Sequence, residues 1–129
     1  MKNVVVRKSK IQGKGVFAAK SFRKGDKMYT IRKGPIIPKK DISLLPKSAQ
    51  LHLDRVSRNC YEIIQPPGCF INHSCEPNTG ERAHAGYALR DIGKGKELTM
   101  DYRRIAFPEG PFRCHCESKK CVKVIHGQR

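Results

Sequence analysis

Phe70-Ile71-Asn72-His73-Ser74-Cys75-Glu76-Pro77-Asn78-Thr79 is the stretch on which the reading of this chain turns. A short apolar lead-in is followed by a run of small polar residues, the pattern of a backbone that leaves a strand and turns through a loop able to hold a ligand. A purely structural turn would use the same residues: Asn-His-Ser can satisfy its own backbone, Pro77 fixes the exit, and Cys75 serves as a small buried apolar group. Two more segments weigh against the structural turn. Gly13-Lys14-Gly15-Val16-Phe17-Ala18 lies upstream, and Glu97-Leu98-Thr99-Met100-Asp101-Tyr102 lies downstream, followed by Cys114-His115-Cys116 and Cys121.

Working outward, the 129 residues suffice for one domain with a small appendage, and a chain of this size buries its surface less completely than a larger one. No run approaches the ~20 apolar residues of a membrane span, and residues 1–7 are too short and too soon charged for a secretion signal. The expectation is a soluble intracellular protein without a membrane partner. There, six cysteines read as metal ligands or buried thiols rather than disulfides. The net charge of +16 is unevenly spread: residues 1–40 hold 13 Lys/Arg against Asp26 alone, whereas residues 41–102 hold 7 against 8 acids. Such a basic first third could track nucleic-acid phosphates or an acidic protein surface, or be no more than a solvated face.

Val4 to Ile11 reads as a first strand, Gly13-Lys14-Gly15 as a turn into a second at Val16 to Ala19, and Lys27 to Ile31 as a third. One helix is predicted near Pro46 to Asn59, from Leu45, Ala49, Leu53 and Val56 at helical spacing. Strand character returns at Cys60 to Ile64, Gly86 to Leu89 and Glu97 to Tyr102. Short strands joined by glycine turns, without helical crossovers, argue against a parallel α/β sheet. No internal repeat is evident. Phe107-Pro108-Glu109-Gly110-Pro111 is the one boundary signal, dividing the chain into 1–106 and 107–129.

Cys114, Cys116 and Cys121 make a C-x-C-x4-C cluster, too compact to bury three thiols in a core and well spaced to converge on one ion. Zinc suits three thiolates plus a fourth ligand, for which His115, Cys60, Cys69, Cys75 and His126 are all candidates. No G-x-G-x-x-G fingerprint opens a βαβ unit, so a Rossmann-type cofactor site is disfavoured.

Together and in this order, the four motifs resemble the SET-domain protein lysine methyltransferases with a post-SET zinc cluster, over roughly Val6 to Cys121. The resemblance implies a mainly β SET fold of several small sheets, with the last core segment threaded beside the central stretch, in residues 1–106, and a zinc-bound tail in 107–129. It implies S-adenosylmethionine as methyl donor, held by Lys14, Gly15 and Phe17 at its amino-acid end and by Asn72 and His73 at its amino group and adenine. It makes Cys75 the fourth ligand of one structural Zn2+, beside Cys114, Cys116 and Cys121. Tyr102 falls at the position of the family's catalytic tyrosine, and Tyr61 is a second channel candidate. The substrate implied is a lysine-bearing protein or peptide, histone-like among others.

The sequence departs from the family pattern at three places. Met100 stands where the family has Phe or Tyr, a position that helps set the number of methyl groups added. Cys69 stands where Arg often precedes the central run, and Glu117 and Val122-Lys123 replace a glycine and an Arg-Gly of the cluster. The insert at 36–59 is short, implying a small substrate wall. The alternative reading is a basic, zinc-stapled nucleic-acid- or peptide-binding module without catalysis, favoured by charge and cysteines but opposed by an aromatic content of only 7% and the absence of a basic helix or stacking stripe.

Overall fold

The computed structural model describes residues 3–11, 13–50, 52–104, 112–116 and 118–126. The predicted boundary at 107–111 and the departure at Glu117 lie outside them. In chain order the strands are β1 (Val4–Lys8), β2 (Lys14–Ala18), β3 (Lys27–Thr30), β4 (Ile36–Pro38), β5 (Leu53–Ser57), β6 (Cys60–Ile63), β7 (Asn72–His73), β8 (Thr79–Arg82), β9 (Ala85–Ala88), β10 (Glu97–Met100), β11 (Phe112–Arg113) and β12 (Val124–Ile125). They form four small sheets, ordered β1-β2-β10-β7, β3-β9-β8, β4-β6-β5 and β11-β12. The mainly β expectation holds. Every pairing is antiparallel except β10 with β7, where Thr99 faces Asn72 and Met100 faces His73. The last core strand is thus inserted between β2 and β7, which brings the downstream motif against the central stretch.

The predicted helix is corrected. Among the described residues of that span only the single turn α1 (Lys47–Gln50) is α-helical, preceded by a 3-10 turn at Lys39–Leu44, and Leu53 to Ser57 is β5. The apolar residues at helical spacing are also compatible with a strand at their far end, and pairing of β5 with β6, Leu53 against Ile63, decides for the strand; tertiary pairing outweighs a four-residue pattern. The strand β8 was not predicted. Ala83 and His84, both at positive φ (49° and 59°), make the tight turn that joins it to β9, a conformation that non-glycine sequence hides.

An internal repeat also emerges that the sequence conceals. Residues 15–30 and 85–100 run through the same course: strand, bend, isolated bridge, turn, strand. Phe22 and Ile92 exchange amide bonds at 2.8 Å each way, the amide of Gly25 donates to Ala88 O and that of Gly95 to Ala18 O, both at 2.8 Å, and the Ala18 and Ala88 amides donate to Lys96 O and Asp26 O. Even the caps correspond, with the Lys24 amide on Asp91 Oδ1 (2.9 Å) and the Lys94 amide on Ser21 Oγ (3.2 Å). Gly25 and Gly95 both take left-handed φ, 92° and 88°, where a side chain is strained. Few identities survive (Ala18/Ala88, Lys24/Lys94, Gly25/Gly95), because burial asks only for an apolar group at Phe22/Ile92 and Met28/Leu98. These pairs join Val16, Ala18, Tyr29, Ile71 and Ala88 in the main core, with Val16, Ile71 and Leu98 fully buried. Burial of such side chains, at ~1.5–3 kcal/mol each, is what holds the two units together.

Candidate active site and cysteine cluster

Two groups of residues meet at the β7–β10 pair. On one side, the Asn72 amide donates to Lys14 O (3.0 Å) and to Glu97 Oε2 (2.8 Å), while Ser9 Oγ donates to the same carboxylate at 2.7 Å. A Cβ on Gly15 would run into that carboxylate, so the absence of a side chain there is what lets Glu97 reach Asn72. Asn78 stitches the central stretch to β10: its Nδ2 donates to Glu97 O (2.8 Å), and its Oδ1 accepts from the Thr99 amide (2.9 Å) and from Thr79 Oγ1 (2.9 Å). Phe17 is half-buried in β2, opposite Glu97.

On the other side stands Tyr102. Its hydroxyl donates to the Ile71 carbonyl, one residue before Asn72. Burial first, and then the acidic groups of Cys69, Glu81 and Glu97, push its pKa up, so it stays a phenol across the working pH range. The Tyr102 amide donates to His73 Nδ1 at 2.9 Å, and the two rings meet edge to face with centroids 5.7 Å apart. His73 is 4% exposed, and burial lowers its pKa against the pull of Asp101. The Asp101 carboxylate itself accepts from the Arg103 amide, Nε and a terminal nitrogen, each at 2.9 Å. Burial opposes its ionisation but the Arg103 bonds win, and its pKa is lowered. A small open concavity is lined by Ile11, Asn72, His73, Tyr102, Arg113, Cys114 and His115.

The structure therefore gathers Lys14, Gly15, Asn72, His73 and Tyr102 around one region. Tyr61 is buried in the middle of β6, opposite Ile37 and Arg55, and is not among the residues lining the concavity. Met100 ends β10, half-buried against the main core, with its carbonyl accepting from the Ser74 amide at 3.0 Å. Three contributors carried no assigned role in the sequence. Glu97 heads a motif that was read for its tyrosine, Asn78 closes the central stretch, and Arg113 has no local signal at all. Cys60 and Cys69 are free thiols, Cys69 with its pKa raised by burial.

Cys75, Cys114, Cys116 and Cys121 place their sulfurs within 4.8 Å of one another. Four thiolates at ~2.3 Å from a tetrahedral zinc lie roughly 3.8 Å apart, and Cys75 Sγ to Cys114 Sγ is 3.9 Å, so the donor set and its spacing fit a closed structural site. Burial pushes the Cys75 and Cys114 thiols up. Burial opposes ionisation of Cys116 too, but hydrogen bonds from the Cys75 and Ser118 amides and from Cys114 and Cys121 outweigh it and lower its pKa. Buried Ile125 of β12 packs under the cluster beside Tyr102, and Ser118 Oγ donates to Glu76 Oε1 at 2.5 Å. The tail thus closes on the central stretch through sulfur, an apolar side chain and one polar bond.

A family profile described as the SET domain matches residues 13–103. The chain belongs to the SET-domain family. It is 39% identical over 92 residues to the histone-lysine N-methyltransferase ASHH2 of Arabidopsis thaliana, covering 60% of this chain and 5% of that protein. With the histone-lysine N-methyltransferase trithorax of Drosophila virilis it shares 30% identity over 143 residues, 95% of this chain and 4% of the relative. Its fold matches the methyltransferase domain of human histone-lysine N-methyltransferase SETMAR with a TM-score of 0.74 at 20% identity, covering 98% of this chain and 59% of that one. The chain thus spans only a small part of the curated relatives it matches.

Proposed function

We propose that this protein is a protein-lysine N-methyltransferase that uses S-adenosylmethionine, with residues 1–106 as the SET domain and 107–129 as a zinc-bound post-SET segment. The observation that carries the reading is the Tyr102 hydroxyl anchored on Ile71 O, directly beside Asn72, at the edge of a concavity that contains both residues. The donor set there suits a zwitterion. The Glu97 carboxylate and Asn72 amide suit an ammonium, and the Arg113 guanidinium suits a carboxylate. Lys14, Gly15 and Phe17 offer β2 backbone, and His73, whose ring is turned toward Tyr102 and Cys75, offers its backbone to the adenine.

S-adenosylmethionine, when bound, supplies an electrophilic methyl carbon on a sulfonium. The task left to the chain is to align a neutral amine in line with that carbon and to keep water out. A lysine ammonium has a free pKa of ~10.4; a dry channel lowers it and the proton leaves to solvent before attack. Tyr102, kept as a phenol, has an oxygen lone pair left to accept from the incoming amine while its O–H donates to Ile71 O. Asp101, already engaged by Arg103, supports this geometry rather than serving as base. Tyr61 is proposed as a wall of the substrate side only. Met100 offers no hydroxyl to hold a water beside the amine, so products beyond monomethyllysine are expected, and mass spectrometry showing a single methyl under excess enzyme would count against this.

The substrate proposed is a lysine in a basic, histone-like protein segment, in an intracellular setting where the thiols stay reduced. The exposed Lys and Arg of residues 3–40 suit contact with nucleic acid near that substrate. Among the described residues no helix is long and apolar enough to cross a membrane. Incubation with methyl-labelled donor and histones or lysine-rich proteins tests the reading. Label on lysine is the expected result; no label, together with no donor binding by calorimetry, would replace it by the non-catalytic basic module.

A further inference from the structure

The His73 side chain is buried between the two groups just described, and its two nitrogens point to different ones. Nδ1 lies 2.9 Å from the Tyr102 amide. Nε2 lies 3.3 Å from Cys75 Sγ. A backbone amide can only donate, so Nδ1 must present its lone pair; the Asp101 carboxylate, 3.9 Å from Nδ1, is too far to accept a hydrogen bond from it. The neutral ring then carries its proton on Nε2, aimed at the sulfur. Cys75 Sγ also accepts from the Val122 amide at 3.4 Å.

We propose that His73 is a positioning residue that ties the cysteine cluster to Tyr102, donating Nε2–H to the Cys75 thiolate and holding the Tyr102 amide on Nδ1. The inference rests on the reading of Tyr102 as catalytic and of the four cysteines as metal ligands. A sulfur that is ionised by a metal is a stronger acceptor than a thiol, so metal occupancy tightens the hold on the ring, and the ring holds the Tyr102 backbone. Loss of metal would then cost more than a loose tail: it would release Tyr102, which lines the concavity. A tie through the backbone amide also explains why a buried histidine, rather than an apolar residue, lies in the two-residue strand β7.

The test uses full-length protein loaded with 113Cd and 15N-labelled at histidine. The expected spectrum shows a slowly exchanging His73 Nε2–H with scalar coupling to the metal through Cys75, and an Nδ1 without a proton. No coupling, or a proton on Nδ1, overturns the proposal, and this measurement needs no variant. A folded His73→Gln protein is expected to release metal to a chelator about 10-fold faster or more and to lose kcat by about 10-fold, the range for partners of metal ligands. Unchanged metal release in that variant also overturns it. Coupling in a protein that transfers no methyl would leave the tie standing and sink the proposed function; no coupling in an active protein would do the reverse.

Discussion

Residues 15–30 and 85–100 share a backbone course and a burial pattern, yet of their two last strands only that of the second unit takes part in the candidate site. The difference lies in what each leaves beside its last strand. In the first, β3 is the edge of its sheet, and Tyr29 uses its hydroxyl on Glu81, 3.1 Å away, with its ring laid over Gly86, where a Cβ would strike it. In the second, β10 has a neighbour on both sides because Asn72 and His73 pair with Thr99 and Met100. One extra two-residue strand converts a structural unit into a pocket wall. The chemistry then follows from side chains at matched places: Lys27 is exposed where Glu97 binds Ser9 and Asn72.

The sharpest ways to test this contrast exploit the matched pairs. Met28→Ala and Leu98→Ala should each cost about 2–5 kcal/mol of stability by denaturant unfolding, since both side chains are at most 1% exposed; a large inequality would mean that the two units are not energetically equivalent. Next, Glu97→Ala removes a charged acceptor from Asn72 and should weaken donor binding by about 1.5–3 kcal/mol, roughly 10- to 100-fold, by calorimetry. Lys27→Ala should leave both donor binding and stability within about 0.5 kcal/mol of wild type. Gly25→Ala and Gly95→Ala both force a Cβ into left-handed backbone and should cost about 1–2 kcal/mol each, with neither change confined to the unit that bears the pocket.

The smallest effect concerns pH. His52, packed edge to face on Phe70 with centroids 5.8 Å apart, has its pKa lowered by burial from 6.5. A depressed histidine pKa means that the fold prefers the neutral ring, so its contribution is complete above pH 6.5 and is lost as pH falls through the lowered folded-state value. His52→Gln should flatten that part of the stability profile; an unchanged acid limb would assign the loss to other groups.

Much of this was legible in the sequence because it depends on residue identity. Cys114, Cys116 and Cys121 converge as their types and spacing suggest, Cys75 joins them as the SET resemblance implies, and the three motifs around Asn72, Gly15 and Tyr102 come together. What stayed hidden depends on pairing. Leu53 and Val56 fit a helix or a strand until β6 is placed beside them. The repeat is invisible because Phe22 and Ile92, or Met28 and Leu98, need to agree only in being apolar, while its signature is carried by backbone bonds. Arg113 reaches the concavity from the far side of residues 105–111, and no local pattern connects it to Asn72. The His73 ring lies between Tyr102 and Cys75, a placement that depends on distant segments folding together and has no local pattern.

The central claim is that the phenol of Tyr102, and not the buried phenol of Tyr29 in the first unit, acts on the incoming amine. Single-turnover methyl transfer with wild type, Tyr102→Phe and Tyr29→Phe measures this directly. The account predicts a loss of about a hundredfold or more for Tyr102→Phe with donor affinity retained, and a near-normal rate for Tyr29→Phe. A wild-type rate in Tyr102→Phe, or equal losses in both variants, would contradict it.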